Sequence, residues 1–534
     1  MARKGSRKVR TGCLTCKARK VKCDEAKPHC NRCVHTGRTC DGYVTKPTPG
    51  LLWHRPRQLF QSVDTASEGR ALQYFCEKTA QFLSGATDPY FWTHLVMQFS
   101  NFEPAVRHSI VAISSLYEQF QAGAAPCVEI KDNSLALQHY NAAIRELKNT
   151  ENQPLVLLVC ILFICIEFLQ SNKAAAIQHC KHGIALLENV NYAWAREHLV
   201  PVFRRLSIFP FFFGNGHHDF PDLVPLDDHI LGPFSTFADA QSAMDSILSQ
   251  TLRLVRWGDA YRFGSSRYEE PSSELLAERE ETRSQLDQWH VLIKDLDAKL
   301  TMQVTPVMEN YNLGEDFIQA MSRAILSVRY EVCRIWLDIA FDADETCYDW
   351  HLDGFRRVIQ SCLFVDSTIP STSRMPAVNR NPKFIFETGF MPLLHFVATK
   401  CRDFNVRLEA LRLMKILGVP RENLWEVDQM FALGRRVIEI EHGVILNDLG
   451  QPTTPPSCPG LPSDEKRVRF TLTEPKATVH VDENGEEVRG WKVDFVMRSS
   501  QDDIYIQNEF IVVERPGIGG NEHLPHSSPV STCI

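Results

Sequence analysis

Six cysteines fall between residues 13 and 40 of this 534-residue chain, and their spacing repeats. Cys13, Cys16 and Cys23 form C-x2-C-x6-C; after a six-residue gap Cys30, Cys33 and Cys40 form it again, so a shift of 17 positions superposes the halves. A doubled pattern of thiols needs a physical cause, and metal coordination supplies one. Zinc takes four ligands in a tetrahedron, and a C-x2-C pair on a tight turn offers two thiolates to one ion. Each half is one thiolate short of closing a site. Two zinc ions need eight ligand positions, so six thiolates suffice only if two of them bridge both metals. The internal two-fold pattern requires the same cysteine of each half to bridge. The competing reading is a disulfide framework, in any of fifteen connectivities. The N-terminus MARKGSRKVR has no apolar segment to direct secretion into an oxidising compartment, which favours zinc.

Between the ligands the chain is basic. Lys17, Arg19, Lys20 and Lys22 occupy the stretch from Cys16 to Cys23, and Arg3, Lys4, Arg7, Lys8 and Arg10 precede it. Residues 1–43 hold twelve Lys and Arg against Asp24, Glu25 and Asp41, a net +9 in a chain whose total is −7, so residues 44–534 carry −16. This asymmetry is the footprint of a nucleic-acid-binding end on an otherwise acidic protein. Phosphates suit the lysines, and each neutralised phosphate releases counterions, so binding should weaken steeply with salt. A solvated or import-directing run accounts for residues 3–10. It does not account for basic residues threaded between metal ligands.

Residues 10–43 resemble the fungal Zn2Cys6 binuclear-cluster DNA-binding domain of a large family of transcription factors. All six cysteines, the basic run and the Lys27-Pro28 pair of the central loop carry the resemblance. It implies two Zn2+ per chain held by Cys13, Cys16, Cys23, Cys30, Cys33 and Cys40, with Cys13 and Cys30 bridging. It implies that Lys20 reads bases, that Arg19 makes a second contact, and that the steps read are CGG triplets. Lys and Arg donors suit guanine O6 and N7 in the major groove. A short helix from Cys16 would offer Arg19 and Lys20 to base edges, while Lys17, Lys22 and the N-terminal arm hold phosphates. Pro28 matches a loop proline that the family often holds cis. So few residues cannot bury a core without metal, so zinc should fold the segment. The implied partners are double-stranded DNA and the transcription machinery or its co-regulators, in the nucleus.

The expected fold class is mainly α: the N-terminal cluster, a large all-helical regulatory domain and a short β-rich C-terminal segment. The expected divisions are a basic arm (1–12), the cluster (13–43), a linker (44–68), the helical domain (69–448), a Pro-rich flexible linker (449–466), the β-rich segment (467–516) and a disordered tail (517–534). The linker shows no heptads, which leaves dimerisation and single-triplet binding open. Hydrophobic residues make up 44% of the chain, ample for a core, and the eleven cysteines outside the cluster are scattered singly, as reduced buried thiols are. Leu72, Phe75, Cys76, Thr79 and Leu83 fall on one helical face. Asp88, or Glu103 before Pro104, fits a helix start. Residues 155–166 are unbroken apolar, short of the roughly 20 a membrane span needs, and Glu167 interrupts them, so they read as a buried core helix. The run from residue 70 to 445 resembles the second fungal-specific transcription-factor regulatory domain, which is all-helical. Leu286, Trp289, Leu292 and Leu296 fit one face of a packed helix, and Trp257, Trp336 and Trp350 read as core. After residue 448, VRFTL, ATVHV, EVRGWKVDFVM and IYIQNEFIVVE read as strands, with Asn484-Gly485 as a hairpin turn.

Two features invite a catalytic reading. His217, His218 and Asp219 are adjacent, and adjacent residues on a regular element point apart, so a polar loop is expected. Gly517-Ile518-Gly519-Gly520 lacks the strand-glycine-helix context of a phosphate loop and reads as a turn in the tail. The expectation is therefore a zinc-dependent DNA-binding regulator of RNA polymerase II transcription, with no catalytic site and no membrane segment. The alternative is a zinc-stapled module that docks protein or RNA without reading DNA sequence.

Overall fold

Sulfur atoms start the first two helices. Helix α1 (Leu14–Ala18) begins at Cys13 and α2 (Asn31–His35) at Cys30, and each cysteine sulfur accepts the N–H of the residue three positions on. The computed structural model describes residues 11–43, 63 and 65–514, apart from 86–88, 124–128, 149, 189–191, 227–230, 265, 304–312, 369–381, 475–476, 482–484, 486 and 500–503. The basic arm through residue 10, most of the 44–68 linker, Asp88, Asn484 and the tail with Gly517–Gly520 lie outside the described residues. Two compact units divide the chain, residues 1–61 and 62–534.

The second unit is mainly helical. In it α3 (Ala66–Tyr74) continues through a π-turn into α4 (Ala80–Ser84), and α5 (Val96–Ser100) leads to α6 (Pro104–Ala122). Thr65 caps α3 by accepting the Glu68 N–H. Glu103 precedes α6 as expected, and Pro104 takes its first position, where an N–H has no helical partner to lose. Leu72, Phe75, Thr79 and Leu83 are fully buried, as their spacing anticipates, while Cys76, expected on the same face, is half-buried. Asn133, Asn152 and Asn172 cap α7 (Ser134–Leu147), α8 (Gln153–Leu169) and α9 (Lys173–Leu187). Helix α8 is buried on all sides from Leu157 to Leu169, packed between α6 and α9. Among the described residues no helix is long and apolar enough to cross a membrane. Glu167 survives inside because Tyr140 and Asn172 each donate to its carboxylate at 2.7 Å.

Three short helices, α10 (Ala193–His198), α11 (Val200–Leu206) and α12 (Phe209–Phe213), lead to α13 (Phe237–Arg262), which opens with a Thr236–Asp239 capping box. Helices α14 (Ser273–Gln303) and α15 (Leu313–Ile339) pack against it. The buried stripe of α14 is Leu286, Trp289, Ile293 and Leu296; Leu292 sits at its margin, because Ile293 falls nearer the centre of the packed face. Next come α16 (Leu352–Thr368), α17 (Met391–Lys400), α18 (Phe404–Leu417) and α19 (Val427–His442), with a small sheet of β1 (Phe384–Ile385), β2 (Arg421–Glu422) and β3 (Trp425–Glu426). Of the three tryptophans expected in the core, only Trp336 is buried there. Trp257 is half-buried and stacks on His217 at 3.7 Å, and Trp350 is 80% exposed. Its 3-10 segment turns Glu345, Cys347, Tyr348 and His351 inward, which leaves Trp350 on the outer side.

The C-terminal strands are β4 (Phe470–Thr473), β5 (Thr478–Val481), β6 (Glu487–Arg498) and β7 (Ile504–Glu514). Long β6 is central: β4 and β5 pair in tandem along one edge and β7 along the other, all antiparallel. At the bulge between Arg489 and Gly490, a Cβ on Gly490 would lie 2.1 Å from the Ile511 carbonyl oxygen, so only glycine fits. Val481 pairs with Glu487, and Gly485 between them has φ +83°, in the left-handed region that favours glycine. Buried charges fasten this sheet to the helices. Glu441 takes Arg407 at 2.6 Å and the Val468 N–H at 2.8 Å, and Arg467 grips Asp349 at 2.7 and 2.9 Å. The Pro-rich 449–466 stretch is pinned rather than loose, since the Cys458 carbonyl meets His442 Nδ1 at 2.9 Å and Ser457 donates to the Gly443 carbonyl.

Candidate metal centre and nucleic-acid interface

The two N-capping sulfurs meet at the centre of the first unit. Cys13 Sγ lies 3.6 Å from Cys30 Sγ and 3.8 Å from Cys33 Sγ, and Cys16 Sγ lies 3.7 Å from Cys30 Sγ and 3.8 Å from Cys33 Sγ. Four sulfurs at about 2.3 Å from one zinc in a tetrahedron stand about 3.8 Å apart, and the Cys13–Cys30, Cys13–Cys33 and Cys16–Cys30 separations fit that value. The sulfurs fall into two sets of four, each within 4.8 Å: Cys13, Cys16, Cys23 and Cys30, then Cys13, Cys30, Cys33 and Cys40. Cys13 and Cys30 are common to both sets. The donor set therefore suits two zinc ions sharing two thiolates.

The environment distinguishes the third cysteine of each half from the first. Desolvation raises the Cys13 thiol to about 12 and pushes Cys30 up as well. Cys23 feels desolvation too, yet the Cys13 and Glu25 N–H groups hold it down at about 6. The Cys30 and Gly42 N–H groups bring Cys40 to about 7. Cys23 and Cys40 are thus prepared by backbone amides, while desolvation holds Cys13, Cys16 and Cys30 protonated until metal charge offsets it.

Both helices end in the same turn. The Val21 N–H reaches the Cys16 carbonyl and the Lys20 N–H reaches the Lys17 carbonyl; Arg38 and Gly37 repeat these bonds onto Cys33 and Val34. This pattern terminates a helix with one left-handed residue, usually glycine. The second half uses Gly37 (φ +62°), whereas the first half uses Lys20 (φ +55°). Seventeen positions also separate Glu25 (φ +61°) from Gly42 (φ +73°), a second left-handed pair. The helix expected to run from Cys16 through Lys20 instead spans Leu14–Ala18, because the Cys13 sulfur caps it early and this turn closes it at Arg19. Lys17, Arg19, Lys20 and Lys22 are all exposed, and none pairs with a carboxylate among the described residues.

Several supporting residues carry no motif of their own. Tyr43 donates to the Ala26 carbonyl at 2.7 Å with its hydroxyl 3.7 Å from Cys23 Sγ, closing the central loop. Asp24 accepts the Asn31 N–H at 2.9 Å at the start of α2. A Cβ on Gly12 would stand 2.9 Å from Cys23 Cβ. The Lys27-Pro28 peptide is cis, as the resemblance implied. Elsewhere, His217 and His218 diverge: His217 lies on Trp257, while His218 Nε2 is 3.4 Å from Asp219 Oδ1.

Comparison with known proteins agrees with this geometry. The fungal Zn(2)-Cys(6) binuclear cluster domain matches residues 11–49, and the fungal specific transcription factor domain matches residues 70–209. The aspercryptin biosynthesis cluster-specific transcription regulator atnN of Emericella nidulans is 23% identical, over 90% of this chain and 96% of that protein. Transcription regulator lscL of Purpureocillium lilacinum is 29% identical over 33% of this chain, which spans about half (48%) of that protein. Arginine metabolism regulation protein II of Saccharomyces cerevisiae is 48% identical over 54 residues, 10% of this chain and 6% of that protein. No solved structure matches. The doubled cysteine cluster, the helical unit behind it and these matches place the chain in the fungal Zn(2)-Cys(6) family of transcription regulators.

Proposed function

We propose that this chain is a nuclear regulator of RNA polymerase II transcription that reads CGG-type triplets in double-stranded DNA. Cys13, Cys16, Cys23, Cys30, Cys33 and Cys40 hold two Zn2+, with Cys13 and Cys30 bridging. The ions supply folding energy to a segment too short to bury a core. Lys20 and Arg19 contact base edges, and Lys17 and Lys22 contact phosphates. The helical unit governs activity through co-regulators. Because the relative in Emericella nidulans is named a biosynthesis cluster-specific regulator, the genes of a biosynthetic cluster are the proposed targets.

The observation that carries this reading is Lys20 in the left-handed position that the repeat fills with glycine. A side chain there costs roughly 1–2 kcal/mol, and such strain collects where a side chain is needed for function. The test is selection of binding sites from random DNA by the zinc-loaded full chain beside Lys20→Ala. CGG enrichment by the wild type, lost or relaxed in the variant, is expected. No enriched sequence from a chain with its zinc in place would instead favour the protein- or RNA-docking module.

A further inference from the structure

His108 on α6 and His139 on α7 meet nitrogen to nitrogen, Nδ1 to Nδ1 at 2.9 Å. Their ring centroids are 5.0 Å apart and the planes are tilted by 56°, so the rings meet at their nitrogens and are not stacked face to face. Glu68, in the first turn of α3, brings a carboxylate oxygen within 4.8 Å of a ring nitrogen of each histidine. Glu68 and His139 are buried and His108 is half-buried. Arg107 Nε lies 3.6 Å from Glu68 Oε1 and orients that carboxylate.

Two neutral imidazole nitrogens at this separation can share one proton, or both can turn their lone pairs to a cation. Two imidazoles and one carboxylate are a set that zinc takes in three-ligand sites, leaving a fourth position for water. With Zn–N near 2.0–2.1 Å, two tetrahedral nitrogens stand about 3.3 Å apart, a few tenths of an ångström beyond the present contact. We propose that Glu68, His108 and His139 bind one Zn2+, a mononuclear site separate from the cysteine cluster. The ion joins three helices and ties α3, where the helical unit begins, to the α6–α7 pair. It thereby makes the stability of that end of the unit depend on zinc.

The test uses the full chain, freed of loose metal by gel filtration, with zinc counted by mass spectrometry. Three ions per chain are expected in the wild type and two in Glu68→Gln and His108→Ala. A wild-type count of two overturns the proposal however the variants fold, because the pair then shares a proton. Three ions retained in both variants also overturns it. Melting supplies a second readout: after mild chelation that leaves only the two cluster ions, added Zn2+ should raise the Tm of wild-type protein but not of Glu68→Gln. No rise in the wild type overturns the site.

Discussion

The two halves of the cysteine cluster share a backbone and differ in what they display. Each has a capping sulfur, a five-residue helix, a left-handed turn and a second left-handed residue after its third cysteine. In residues 30–42 both left-handed positions are Gly37 and Gly42; in residues 13–25 they are Lys20 and Glu25. The partners of Lys17, Arg19, Lys20 and Lys22 under the repeat are Val34, Thr36, Gly37 and Thr39, none of them charged. The metal scaffold is therefore symmetric while the charged surface is not. Ligation constrains both halves alike; under the proposed function, DNA contact constrains only the first.

The largest expected effect removes what the halves share. Cys13→Ser and Cys30→Ser should each lose both cluster ions and all specific DNA binding, with melting of the helical unit unchanged. Zinc counting and circular dichroism check this, and one cluster ion retained in either variant would break the bridging symmetry. Next is the asymmetric pair. Lys20→Ala should lose about 1–3 kcal/mol of discrimination at one base step in binding titrations. Gly37→Lys should leave sequence preference alone and destabilise the zinc-loaded cluster by about 1–2 kcal/mol, the strain Lys20 already carries. Lys20→Gly sharpens the point further: it should stabilise the cluster by about 1 kcal/mol in denaturant titrations while sequence preference falls. The smallest effect is Lys17→Ala or Lys22→Ala, each lowering the salt slope of DNA binding by about one, equally for all sequences. An equal loss of slope from Val34→Ala would dissolve the distinction between the halves.

The cluster and the helical unit differ in how far apart in sequence their interacting residues lie. The cluster's ligands sit within one short stretch, and their spacing alone implies the metal. In the helical unit, caps and periodicity foretold the α6 start at Glu103–Pro104, the buried α8 and the four C-terminal strands. Partners distant in the chain were not foretold. Arg467 finds Asp349 across 118 residues, Arg421 finds the end of α8 across about 250, and His108 finds His139 across 31. No local period announces such pairs. Trp350 was misplaced for a related reason: composition says a tryptophan prefers burial, but only the turn of its 3-10 segment decides which side faces in.

By itself, the sequence determined the doubled thiol pattern, the basic run within it, the helical class of the middle and the strands of the end. These are properties of neighbouring residues, set by ligand spacing, charge density and period. Tertiary structure decided how buried arginines and Glu441 lock sheet to helices, which tryptophans face inward, and where two histidines and a glutamate converge. Those outcomes depend on chain segments brought together by burial of apolar surface, which is non-directional and leaves no mark at any one position.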